Sequence, residues 1–205
     1  MKFEKIFGLF LIVAMTLAAC KNQPKQAEQT ATMQAVSQSA SVEWTAYKTT
    51  EKVPVKGTFK SVTIQNTGTG ATVEEVANGT EFAINDFEIS TNDTTRDATI
   101  VANFFKVMDD AGNISGKVFK EGDAWFVKLK LNGITVEKLP AQVSFEGNTA
   151  QLTASIQLAD FNALNALASL NKACGDLHKG ADGISKTWDV VDVKASLQFE
   201  QANQQ

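Results

Sequence analysis

The sequence contains two cysteines and one histidine, which confines thiol and imidazole chemistry to Cys20, Cys174 and His178. Cys174 and His178 stand four positions apart, a spacing that on a helix places two soft ligands on one face. They are also the one nucleophile and base combination available. A metal site needs more ligands than these two, and Gly175 ends a helix directly after Cys174, so the better reading is a packed thiol with no metal bound. There is no phosphate loop, no dinucleotide fingerprint and no paired-acid motif, and the carboxylates are scattered over polar strand faces. Neither catalysis nor a cofactor is expected.

Cys20 stands in different surroundings. Lys2 and Lys5 open the chain, residues 6–17 are almost wholly apolar, and the small Ala18 and Ala19 precede the cysteine. That order is a secretory signal peptide over residues 1–19. Its apolar run falls short of the roughly 20 residues that a permanent membrane helix needs. The string Leu17-Ala18-Ala19-Cys20 resembles the bacterial lipobox, in which the thiol receives a diacylglycerol and becomes the new N-terminus. Two or three acyl chains, at about 0.8 kcal/mol per buried methylene, make a stable anchor. Cys20 is thus the expected lipidation site and the expected link to a membrane. Lys21 and Asn22 follow it in place of aspartate, which favours the outer membrane of a cell envelope facing the periplasm, with exposure on the outer surface also open.

The whole chain has a net charge of −4, and removal of the leader makes it more acidic. With a single arginine, Arg96, and no lysine block, the surface cannot neutralise a phosphate backbone, so nucleic acid is not an expected partner. One cysteine left after Cys20 permits no intrachain disulfide, and stability has to come from a packed core.

Residues 20–41 are rich in Gln, Ala, Ser and Thr without apolar periodicity, and are expected to form a flexible linker with a reach of roughly 25 Å. The domain is expected over residues 42–200, with a tail at 201–205. Period-2 alternation dominates it, the mark of strands with one buried face. In "AWFVKLKLNG", Trp125, Val127, Leu129 and Leu131 share a face; in "AQLTASIQL", Ala150, Leu152, Ala154, Ile156 and Leu158 do; in "VVDVKASLQF", Val191, Val193, Ala195, Leu197 and Phe199 do. Asn78-Gly79, residues 120–123, Asn132-Gly133 and Gly147-Asn148 carry turn signals, which imply antiparallel hairpins. Residues 96–105 and 160–174 follow a helical period instead, the second with Asp160 as its expected N-cap. The phase shift in "INDFEI" predicts a bulge. Many strands with short turns and few helices make a closed antiparallel barrel or a sandwich.

Four strings narrow this choice: "EWTAYKTTEKVPVKGTF" from Glu43, "ISTNDTTRDATIVANFF" from Ile89, "LNGITVEKLPAQVSF" from Leu131, and "KTWDVVDVKASLQF" near the end. Together they resemble the YceI-like family of secreted bacterial proteins over essentially all of residues 42–200. Ser90-Thr91 followed by Arg96-Asp97 and Phe104-Phe105 is the most specific part. The resemblance implies an all-β fold, a closed antiparallel eight-stranded lipocalin-like barrel with one or two short helical insertions. It also implies an apolar cavity for a long amphiphile, typically a polyisoprenoid. Many members carry a histidine-serine pair early in the barrel where this chain has Tyr47-Lys48-Thr49-Thr50, so ligand contacts of that pair do not carry over.

The expected partner is a long-chain lipid, isoprenoid or fatty amphiphile, and a homodimer is compatible with the sequence. The candidate ligand-binding wall is Phe59, Phe82, Phe87, Phe104, Phe105, Trp125, Val127, Leu129, Phe145 and Ile156. Arg96 either meets a phosphate or carboxylate head group through its fork of donors or clamps its loop against Asp93 or Asp97; the crowding of acids favours the clamp. A second reading fills the barrel with its own side chains and makes it a protein-interaction or envelope-stress module. Inward-facing residues look the same in both.

Overall fold

The computed structural model describes residues 32–202; the leader, Cys20 and the first part of the expected linker lie outside them. The first strand, β1 (Met33–Lys48), is long. β2 (Val53–Phe59), β3 (Val62–Asn66), α1 (Val73–Ala77), β4 (Glu81–Ile84), β5 (Ile89–Ser90) and α2 (Thr94–Asn103) follow. The meander β6 (Ile114–Glu121), β7 (Ala124–Leu131), β8 (Ile134–Glu146) and β9 (Thr149–Gln157) comes next, then α3 (Leu164–Ala173) and β10 (Val190–Gln201). All ladders are antiparallel and form one sheet in the order β3-β4-β6-β7-β8-β9-β10-β1-β2-β5. The sheet curls into a barrel-like wall around one apolar interior.

The turns are the ones that the sequence marks. Asn132 and Gly133, at φ 53° and 75°, join β7 to β8, the left-handed pair that a tight hairpin needs. Gly122 and Gly147 supply positive φ between β6 and β7 and between β8 and β9.

Several expectations change. The sheet has ten strands where eight were expected, because two passes of the chain are broken: residues 60–61 separate β2 from β3, and residues 85–88 separate β4 from β5. The ordered domain begins before residue 42. Met33 to Val36 pair with Gln201 to Gln198, a bulge follows, and pairing resumes at Ser41 with Ser196. Gln34, Ser37, Gln38 and Ser41 are exposed, Ser39 bridges the bulge by donating to the Val36 carbonyl and accepting from the Gln198 amide, and the paired backbone is satisfied by β10, so the composition of a linker is here the composition of an amphipathic strand.

There are three α-helices among the described residues, with two 3-10 turns at Phe105–Val107 and Leu158–Phe161. Asp160 lies inside the second of these turns, and the N-cap of α3 is Ala163, without a side-chain cap. The "INDFEI" phase shift is a turn between β4 and β5, and not a bulge. That turn buries Asp86 to 1% exposure, with no hydrogen-bond partner for either carboxylate oxygen.

Candidate functional site

The alternating inward residues do not meet across the barrel. Leu152, Ala154 and Ile156 of β9 and Val191 and Val193 of β10 face inward yet remain half-buried. They border a cavity of about 700 Å³, within the range of small-molecule sites. In β7, by contrast, Val127, Leu129 and Leu131 are buried within the continuous apolar core. These three also line the cavity, which is bordered by residues of every strand except β5.

Seven of the ten candidate wall residues line this cavity: Phe59, Phe82, Phe104, Phe105, Val127, Leu129 and Ile156. Phe105 lies edge-on to both Phe59 and Phe104, with ring centroids at 6.0 and 5.2 Å, an arrangement favoured by the ring quadrupoles. Two glycines make room for large rings against the sheet. A Cβ on Gly57 would lie 2.2 Å from the Trp44 ring, and one on Gly116 would lie 2.6 Å from the Phe82 ring.

Phe87, Trp125 and Phe145 are outside the lining. Phe87 sits in the turn after β4, where strand parity has no meaning, and is 37% exposed with Lys106 over its ring. Trp125 and Phe145 do lie on the inward parity of their strands. They sit at the far end, with ring centroids 6.0 Å apart, where Trp125 joins a separate apolar cluster with Val76, Ala77, Leu197 and Phe199. Alternation assigns the face of a strand and not the height along the barrel axis.

Where the cavity reaches the surface its lining becomes polar. Pro54, Lys56, Asp93, Thr95, Arg96 and Leu177 border it and are exposed. Asp93 caps α2 by accepting from the backbone amides of Thr95 and Arg96. The Arg96 guanidinium stands 3.6 Å from the same carboxylate, with both side chains nearly half exposed. Asp97 instead accepts from the amide and hydroxyl of Thr91 at 2.7 and 2.6 Å. The clamp and the mouth position thus coincide in Arg96: it pairs loosely with Asp93 while bordering the opening.

Lys48 and Lys56 add two cations to the rim, neither foreseen. Lys48 also donates to the Leu177 carbonyl at 3.1 Å, tying the segment after α3 to the β1–β2 hairpin. Trp188 makes a second tie by donating its indole N–H to the Thr49 carbonyl at 2.8 Å.

Cys174 and His178 both line the cavity. His178 Nδ1 lies 2.6 Å from the Thr187 hydroxyl, which in turn donates to Asn171, so the imidazole N–H is the donor to Thr187. Burial first, and the Lys48 charge second, hold His178 below the usual histidine range. Burial pushes the Cys174 thiol up, away from the reactive thiolate. No cluster of three or more His, Cys, Asp or Glu side chains arranged for a metal ion occurs among the described residues.

No family model matches the sequence, and no curated protein matches it. Solved structures of similar fold include the following two. One is a polyisoprenoid binding domain from Saccharophagus degradans implicated in plant cell wall breakdown, at TM-score 0.61 and 12% identity, covering 84% of this chain and 99% of that one. The other is BcnA from Burkholderia cenocepacia, at TM-score 0.54 and 16% identity, covering 82% of this chain and 100% of that one. At such identities the likeness establishes the fold.

Proposed function

We propose that this chain is a non-catalytic, lipid-anchored binding protein of the YceI-like type. It holds the apolar tail of a polyisoprenoid or similar long-chain amphiphile inside the barrel, as a carrier or scavenger in the cell envelope. The observation that carries this reading is the apolar cavity of about 700 Å³ along the sheet interior, which a barrel filled by its own side chains would lack. The four family-like strings and the polyisoprenoid binding of the similar S. degradans domain support the same ligand class. In this reading β2 with β3 and β4 with β5 are two kinked passes, and the β3–β4 and β2–β5 ladders between them close a ring of eight.

A tail bound here gains about 0.8 kcal/mol per buried methylene without directional bonds. The head group stays at the rim, where Arg96, Lys56 and Lys48 suit a phosphate or carboxylate. Acylated Cys20 anchors the domain, and the residues ahead of β1 give it reach.

The test is native mass spectrometry of residues 21–205, which include every strand and helix described, after secretion into a bacterial envelope, followed by organic extraction. The expected result is an adduct that extracts as a long-chain lipid. A bare mass, with no uptake of added polyprenyl phosphates or fatty amphiphiles, overturns the reading.

A further inference from the structure

The segment between α3 and β10 folds into a hairpin of its own. Lys179 bridges to Ser185, and the Gly180 amide donates to the Ile184 carbonyl at 3.0 Å. Backbone bonds fasten it along the β1–β2 hairpin: the Thr49 amide donates to the Lys186 carbonyl at 2.9 Å, and the Trp188 amide to the Tyr47 carbonyl at 3.0 Å. At the tips the Ala181 amide donates to Glu51 at 3.2 Å and the Thr50 hydroxyl to Asp182 at 2.7 Å. The two hairpins form one fixed edge beside the cavity opening, which Pro54, Leu177 and Trp188 border.

This edge holds apolar side chains out in water. Leu177 is 73% exposed, Ile184 57% and Val53 41%; the first two are the most exposed large apolar side chains among the described residues. With the backbone bonded on both sides they cannot fold inward, and such a group is the mark of a surface that a partner covers.

Charge and aromatic content name the partner. Lys186 stands 3.5 Å over the Trp188 ring, and Lys52 lies over that ring and over Tyr47, at 5.3 and 4.6 Å. Lys52, Lys56 and Lys186 make no ion pair among the described residues. The acids beside them are occupied: Glu51 and Asp182 by the bonds above, with the Ile184 amide a further donor to Asp182, and Asp176 by Lys179 at 2.6 Å. Asp189 is the one acid of this segment without such a partner among the described residues, against three lysines. Apolar tips flanked by lysines, with a tryptophan and the chain's one tyrosine beside them, suit the interface of an anionic bilayer.

Resting on the reading of the cavity as a tail site, we propose that this edge docks on an anionic bilayer, so that a tail passes between membrane and cavity without crossing water. The cavity opening and the docking edge are then one continuous surface, and the lipid head group stays at the level of the lysines.

The test is flotation of residues 21–205, which carry no acyl chain of their own, with vesicles of phosphatidylcholine alone or of phosphatidylcholine and phosphatidylglycerol in equal parts. Binding to the mixed vesicles is expected to be about tenfold or more the stronger, and salt should reduce it. Lys52→Gln with Lys186→Gln should remove most of that preference, and Val53→Ser with Ile184→Ser should weaken binding to the mixed vesicles. None of these four side chains lines the cavity, so affinity for geranylgeranyl monophosphate, titrated without vesicles, should be unchanged in both variants.

Equal binding to the two kinds of vesicle, or flotation kept in full by both variants, overturns the docking. A dimer in solution that Val53→Ser with Ile184→Ser dissociates, with no flotation of the wild type, assigns the edge to a second copy and overturns it too. Failure of the wild type to take up geranylgeranyl monophosphate overturns the tail site, whatever the flotation shows.

Discussion

The two ends of the barrel solve opposite problems. At the α1 end the Thr72–Glu75 capping box, the backbone bonds that staple Gly79 and Thr80 to Val118 of β6, and the Lys120–Glu74 pair surround an apolar cluster that floors the barrel. None of the buried side-chain atoms without a partner, on Trp44, Thr49, Asp86 and Asp110, lies at that end. The opposite end, between α2, α3 and the β1–β2 hairpin, keeps exposed charges at an opening and carries a buried carboxylate in the nearby β4–β5 turn. Stability is invested at the floor and access at the mouth. Substitutions should therefore separate: floor changes alter folding, and mouth changes alter binding.

The largest effect is expected from Trp125→Ala, which removes a side chain 8% exposed from the floor cluster. Loss of an aromatic from a packed site costs about 3–5 kcal/mol, readable as a lowered denaturation midpoint. A midpoint unchanged from the wild type would break the comparison, because the floor would then not be a packed plug.

Asp86 sharpens the comparison from the other end. Burial raises its pKa to about 6, and the Asp110 charge adds to this; the amides of Gly112 and of Asp86 itself pull the other way but do not reach hydrogen-bond geometry. A carboxyl raised in the folded state favours folding in its protonated form, and that contribution fades as pH rises through about 6. Above that pH the ionised group is a burden on the order of 2–3 kcal/mol. Asp86→Asn should thus be more stable than the wild type at pH 7, and the difference should close toward pH 4, near the group's ordinary value. The difference between the two proteins is the quantity to follow, since carboxylates held low by hydrogen bonds, such as Glu75 and Asp192, destabilise both proteins as pH falls. A difference constant with pH would mean that Asp86 is not buried in charged form.

How far the sequence reaches can be judged from particular elements. Strict alternation in β7, β9 and β10 gives the inward set, since period 2 is a direct consequence of strand geometry, and the Asn132-Gly133 turn fixes its hairpin. Height along the axis is set by register and by what covers each end, which is why Trp125 and Phe145 have the right face and the wrong level. Helix α1 is too short for an apolar period to register, yet its signature was present in Thr72 followed by Glu75, the capping-box spacing. Lys48 and Lys56 carry no local signal, because a cation on a strand reads as solvated until the rim of a cavity is seen beside it. The strand from Met33 has no local signal that outweighs its Gln and Ser content, and only its pairing with β10 reveals it.

That same capping box yields a smaller test of the floor. Thr72→Ala removes the side chain that accepts from the Glu75 amide at 3.2 Å, and losing such a cap costs about 1 kcal/mol. Hydrogen exchange should quicken in α1 and at Val118, with β7 to β9 unaffected. If exchange in α1 is unchanged, its staples to β6 suffice to hold the floor.

Arg96→Ala is expected to move stability least and to say most about the mouth. Its pair with Asp93 is long and half exposed, the kind worth about 0–1 kcal/mol, and the backbone amide that Asp93 caps is kept in alanine, so α2 retains its start. An anionic head group, however, loses a planar donor fork, while the tail loses nothing. Affinity for geranylgeranyl monophosphate should fall several-fold and that for the uncharged alcohol should not change. Added salt should narrow the gap, because exposed charges are screened over about 10 Å at 0.1 M ionic strength. Equal losses for the phosphate and the alcohol would mean that Arg96 shapes the opening through packing, and the division of labour between a packed floor and a mouth that reads the head would have to be redrawn.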